Sequence, residues 1–173
     1  MKKTVLTFGF LSGAVSAAMM FATMPFVEQI GFDRMLVVGY TTIVISFLFV
    51  YFGMRSYRDN VLGGTMTFGK GFNAGILITL ISCVCYVAAW LVIYYTVMPD
   101  FGERYGAYLL ADLQAKGASQ AEVDALVKSS ADMNAMLANP FINAALTFTE
   151  PFPVGLLITL ISAAILRKKE ADA

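Results

Sequence analysis

The chain has 173 residues, of which 58% are hydrophobic and only 14% charged, with 12 Lys and Arg set against 12 Asp and Glu. So few polar groups cannot coat a soluble globule of this length, and their confinement to short intervals between long uncharged runs marks an integral membrane protein. With no histidine and only two cysteines, the sequence also lacks the material for the usual acid-base and metal-binding constellations, so neither an enzyme nor a metal site is expected.

Four runs are long enough to cross a hydrocarbon core, which takes roughly 20 helical residues. They cover about residues 4–27, 35–54, 71–99 and 141–166. The expected fold is an all-α integral membrane protein, residues 1–173 forming a single membrane domain of four transmembrane helices. Threading Lys2 and Lys3 inside puts Arg55, Arg58, Lys70, Arg167, Lys168 and Lys169 on the same side, against Arg34, Arg104, Lys116 and Lys128 opposite. That excess predicts both termini in the cytoplasm, and it places residues 100–140 outside as a periplasmic helical hairpin between helices three and four. The lipid bilayer is the first partner. The basic residues hug the membrane and are balanced by acids, so nucleic acid is not expected as a partner.

The first run opens like a secretory signal, with Lys2 and Lys3 before an apolar stretch and small residues near Ser16 to Ala18. It continues apolar to Val27, which suits an uncleaved spanning helix better. Gly9, Gly13 and Ala17 make a small-residue stripe that admits another helix, with packing inside the chain favoured over a dimer seam. In the second run Gly39, Thr42, Ser46 and Gly53 share one face of the kind helix contacts prefer.

The loop before the third run holds Gly64 to Lys70 in a G-x-x-x-x-G-K pattern, but Gly71 stands where a Ser or Thr would reach magnesium and no buried strand precedes it. No nucleotide or other cofactor is therefore expected. Along the third run Tyr86, Trp90 and Tyr94 recur every four residues and read as an interfacial anchor. Cys83 and Cys85 read as small apolar residues.

In the outer segment, residues 101–116 are helix-compatible up to Gly117, and Ser119 with Glu122 forms a capping-box signature before Val123, Leu126, Val127, Met133, Met136 and Leu137 at helical spacing. Two amphipathic helices follow. Their apolar faces must lie on each other, on the bundle mouth, on the membrane surface or on a partner. The pair has too little core to be an independent domain, and a cap on its own bundle is the favoured arrangement.

Asn139, Asn143, Thr147 and Glu150 fall at steps of four, four and three, which on a continuous helix is one polar strip descending from the outer surface. Pro151 and Pro153 lack amide donors and predict a kink or broken turn around Glu150. Counted back from Arg167, Glu150 lies about 25 Å up the helix, just inside the outer boundary. It is either a proton or cation site or a group that caps a helix start or pairs with an outer-loop cation within reach of water, and the falling cost of charge near the interface favours the second. Residues 68–82 and 148–162 also align, matching Gly75, Thr79 and Ser82 to Gly155, Thr159 and Ser162. In the assigned topology the two copies are inverted, as in transporters, although chance or shared packing demands in a small apolar alphabet are the favoured explanation of the likeness.

The layout, with SYRDN at Ser56 to Asn60, TFGKGF at Thr67 to Phe72, the pair Asn139 and Pro140, and TFTEPFPVGLLITLISAAILRKK at Thr147 to Lys169, resembles the bacterial family catalogued as domain of unknown function 4199. The resemblance spans essentially the whole chain and implies four spanning helices in the inner membrane of a bacterium, mainly among Bacteroidota. It implies no ligand and no functional residue. Two functions stay open. An accessory or interaction protein, the favoured reading, would use the outer helical pair to meet a membrane-protein partner. The alternative is a small proton- or cation-coupled transporter or channel, working as a homo-oligomer with Glu150 at its outer mouth.

Overall fold

The computed structural model describes residues 1–168, so Lys169 of the basic cluster lies outside the described residues. Helix α1 (Lys2–Thr23) passes through a 3-10 turn (Met24–Phe26), where Pro25 removes an amide donor, into the short α2 (Val27–Ile30). Gly31, at φ 88°, turns the chain into α3 (Phe32–Val61). Then come α4 (Phe68–Val92) with a π-helical last turn (Ile93–Val97), α5 (Phe101–Ala115), α6 (Gln120–Leu137), α7 (Pro140–Phe148) and α8 (Pro151–Leu166). Lys2–Ile30, Phe32–Val61, Phe68–Val97 and Pro140–Leu166 are long and apolar enough to cross a membrane, and the chain is a multi-pass membrane protein. Among the described residues the chain is otherwise helical, apart from one bridge between Met66 and Lys168.

The second span is longer at both ends than residues 35–54, the range hydropathy marks. Hydropathy stops at charge, whereas a helix carries charge once clear of lipid, and Arg55 and Arg58 pair with Asp59 at 3.6 and 2.6 Å beyond the apolar run. The third span stops at Val97 rather than residue 99, where the chain turns before Pro99.

Helices α3 and α4 form the central pair, and α1 and α8 each pack on both. Val5, Met54, Tyr57, Met66 and Leu166 share one cluster, which brings the start of α1, the end of α3, the approach to α4 and the end of α8 to one end of the bundle. Met66 and Lys168 exchange amide hydrogen bonds there, at 3.0 and 2.9 Å. The helices therefore alternate in direction, and Lys2, Lys3, Arg55, Arg58, Lys70, Arg167 and Lys168 gather at this end.

The small residues set the helix contacts. A Cβ at Gly9 would come within 2.8 Å of Ile81, and one at Gly13 would meet Cys85, so this stripe of α1 lies on α4 within the chain. Ser12 donates to the Ser46 carbonyl at 2.8 Å; its one proton is then committed, so the Ser82 hydroxyl, also at 2.8 Å, donates to Ser12. This joins α1, α3 and α4 in one polar layer. The antiparallel contact of α4 with α8 is reciprocal: Gly75 faces Thr159, Gly155 faces Thr79, and the two threonine hydroxyls meet at 3.0 Å. Ser82 turns instead to α1, while Ser162 is buried on α8. On α3, Thr42, Ser46 and Gly53 are buried in contacts, but Gly39 has open space where its Cβ would stand.

Helices α5 and α6 pack on each other as a hairpin at the opposite end, with Gly117 at φ 76° in the turn. Ser119 caps α6 in a full capping box; its amide and hydroxyl donate to Glu122 at 2.8 Å each and hold that carboxyl below its ordinary range. A Cβ at Gly106 would lie 3.5 Å from Ser130 Cβ, within the span of a disulfide. In a background with Cys83→Ala and Cys85→Ala, the pair Gly106→Cys and Ser130→Cys is expected to oxidise and become refractory to maleimide. Thiols that stay reactive after mild oxidation would contradict this packing of the hairpin.

Candidate functional site

The site begins where the fourth span breaks. In a continuous helix the Pro151 ring would collide with the carbonyl of Thr147 and leave it without a donor. The chain resolves this with a tighter turn: the Thr149 amide donates to Leu146 O at 3.1 Å and the Glu150 amide to Thr147 O at 3.3 Å, so α7 ends and α8 begins afresh with Pro151 fully buried. The break swings the half-buried Glu150 toward α4, where the Tyr86 hydroxyl donates to Oε2 at 2.9 Å.

The four polar residues read as one strip divide into three roles. Asn139 is the N-cap of α7, its Oδ1 accepting from the amides of Phe141 and Ile142, and it faces solvent. Asn143 is fully buried and uses its whole hydrogen-bonding capacity. Its Oδ1 accepts from Trp90 Nε1 at 3.0 Å and Thr147 Oγ1 at 3.1 Å, and its Nδ2 donates to Leu137 O at 3.2 Å and Tyr95 OH at 3.4 Å. It is a clasp joining α4, the end of α6 and α7. Thr147 and Glu150 remain, and both line a cavity.

That cavity, of about 460 Å³, lies between the hairpin-side ends of α1 and α3, the Tyr86 and Trp90 face of α4, and the hairpin itself. The start of α3 is loosely covered there. The first ten residues of α3 contain none that is buried, whereas Thr42 and the positions below it pack closely. Gly39 and Thr42 line one wall, Thr147 and Glu150 another, and Met20, Met24, Met35 and Met133 supply much of the apolar surface. The hairpin is its roof. Phe101 and Tyr105 stack on each other at 6.2 Å, Tyr105 meets Phe32 at 5.4 Å, and Phe101 stands edge-on to Trp90 at 5.2 Å. Tyr95 donates to Leu137 O at 2.7 Å and pins the end of α6. Arg104 bridges Asp100 and Glu28 at 2.6 and 3.0 Å, an exposed network that fixes orientation more than stability.

Tyr86, Trp90 and Tyr94 were expected as headgroup anchors, and this is corrected. Tyr86 and Trp90 turn inward to Glu150 and Asn143, and Tyr94 is 7% exposed. The available signal was complementarity, since a strip of donors at steps of four on one helix runs antiparallel to a strip of acceptors on another.

A family model described as "Protein of unknown function (DUF4199)" matches residues 7–168. The chain belongs to this family. No curated protein and no solved structure matches it. In this DUF4199 protein the matched stretch takes in α1 from Thr7 onward, the other described helices, the chamber and its roof, so the site belongs to the family region rather than to an appendage. Glu150 is the one carboxylate among the chamber's described lining residues, none of them is Lys or Arg, and none of the ion pairs among the described residues includes Glu150.

Proposed function

We propose that this DUF4199 protein is a small carrier of the bacterial inner membrane. Its basic end and both termini lie in the cytoplasm, its hairpin in the periplasm, and its outer chamber takes up a solute beside Glu150. The observation that carries this reading is the half-buried carboxylate on the wall of a roofed 460 Å³ chamber, a size within the range of small-molecule sites. An ionisable group in a spanning segment, with no ion partner among the described residues, points to a functional role even near the interface. The reciprocal Gly75–Thr159 and Gly155–Thr79 contact adds support, because an inverted helix pair about an axis in the membrane plane is how carriers build two alternating openings. Binding and passage, rather than catalysis, is the chemistry such a site supports.

The test is accessibility from both faces. In the background without Cys83 and Cys85, Gly39→Cys places a thiol in open chamber space. A membrane-impermeant maleimide is expected to label it from the outer face and, more slowly, from the inner face of oriented vesicles. Labelling from the outer face alone would sink the carrier. The accessory reading would then stand, favoured by Val127 and Met136, which α6 leaves 51% and 45% exposed as a surface for a partner.

A further inference from the structure

We propose that the chamber's ligand is a lipophilic monocation, an amphiphilic amine or quaternary ammonium, with its cationic head at Glu150 and its hydrocarbon body between the methionines and the aromatic roof. This deepens the carrier reading, but it rests on the chamber alone and not on a second opening.

Charge decides the head. The described lining residues include a single carboxylate and no cation, and Tyr86 satisfies only one site on Oε2, so acceptor capacity remains on Glu150 for an ammonium donor or a close quaternary centre. An anionic ligand would meet like charge with no cation among the described lining residues to neutralise it, and a neutral one would leave the half-buried carboxylate without an ionic partner. A bare divalent ion is poorly served, because no group of three or more Asp, Glu, Cys or His side chains gathers among the described residues. Aromatic faces add to the preference. Trp90 and Tyr86 stand on the same wall as Glu150's approach, with Phe101 and Tyr105 above, and cations are drawn to such faces.

The body follows from the rest of the wall. Four methionines are unbranched and polarisable, and so adapt to an alkyl chain without prescribing its shape. Phospholipids with ammonium heads share the cation, but their phosphate would find no Lys or Arg among the described lining residues. The free amphiphile is therefore the source to which this chamber is fitted.

Trp90 is the chain's one tryptophan and lines the chamber, so its emission reports occupancy directly. Protein in phosphatidylcholine nanodiscs would be titrated with decyltrimethylammonium, 1-decanol and decanoate, each corrected for partition into protein-free discs. The expected result is a saturable shift in Trp90 emission with an apparent Kd for the cation at least about tenfold below that of the alcohol, decanoate being weakest. Glu150→Gln should bring the ratio of cation to alcohol to about one, Glu150→Asp should keep part of it, and Gly39→Phe, which fills open chamber space, should suppress the saturable shift with every probe. Equal affinity for the three probes in the native protein, or a preference for decanoate, would overturn the proposal whether or not the variants fold and whichever faces label in vesicles. Loss of cation binding when phosphatidylethanolamine is added to the discs would reassign the site to a lipid head and overturn it as well.

Discussion

Replacing Gly155 by leucine is expected to stop α8 from docking, read as loss of the cooperative unfolding transition in mixed micelles. A single Cβ at this position would stand 2.5 Å from Thr79 Cγ2 and 2.8 Å from Phe47 Cζ. Neither neighbour can give way: Thr79 is β-branched and fully buried, and Phe47 is 1% exposed in the centre of the core. Overpacking by a few methylenes costs about 1–3 kcal/mol when a core can shift, and leucine adds four carbons where even one does not fit. The Thr79–Thr159 hydrogen bond would go with the helix contact. Gly155→Ala should be milder in the same direction. Gly39→Leu is the control, since a Cβ there meets nothing within 4 Å and the substitution should leave the transition nearly unmoved. A stable Gly155→Leu protein would mean that α8 has another seat on α3 and α4, and the reciprocal contact would lose its standing as an organising feature.

The contrast between these glycines marks what the sequence could and could not disclose. Four spanning helices follow from composition, because backbone groups in lipid must be satisfied within the segment and long uncharged runs have no other outcome. The break before Pro151 is equally legible, since the missing amide and the ring clash act locally. Gly39 and Gly53 look alike in sequence, on one face with Thr42 and Ser46, yet Gly53 is pressed against Phe8 and Ile78 while Gly39 opens onto the chamber. Packing separates them, and how closely each part of α3 is covered is set by the partner helices and by the roof, not by the face itself. The same holds for Tyr86 and Trp90. An aromatic at a given depth is an anchor facing lipid and a hydrogen-bond donor facing α7, and only the rotation of α4 chooses. Asn139 and Asn143 share a spacing but not a role, because one precedes Pro140 and caps while the other lies a turn further down, enclosed by four partners.

Asn143→Leu is expected to lower stability by about 1–3 kcal/mol, since a residue of similar volume fills the space but orphans the partners. Trp90 Nε1 loses its acceptor and is left half-buried without one. Leu137 O keeps Tyr95, and the Thr147 hydroxyl can return to a backbone carbonyl of its own helix, so the indole N–H carries most of the loss. Hydrogen bonds between membrane helices average about 0.6 kcal/mol because the unfolded chain finds substitutes, and the upper end of the range applies only if Trp90 finds none. A double-mutant cycle with Trp90→Phe separates these outcomes. Phenylalanine removes the orphaned donor, so the double variant should be less destabilised than the sum of the two single ones, by about 1 kcal/mol or more. Amide exchange supplies a second readout: without the Nδ2 bond to Leu137 O, the junction of α6 and α7 should exchange faster while α8 stays protected. Additive single variants with unchanged exchange at that junction would show that the clasp does not hold the roof, and that the stacking of Phe101 and Tyr105 on Trp90 and Phe32 closes the chamber unaided.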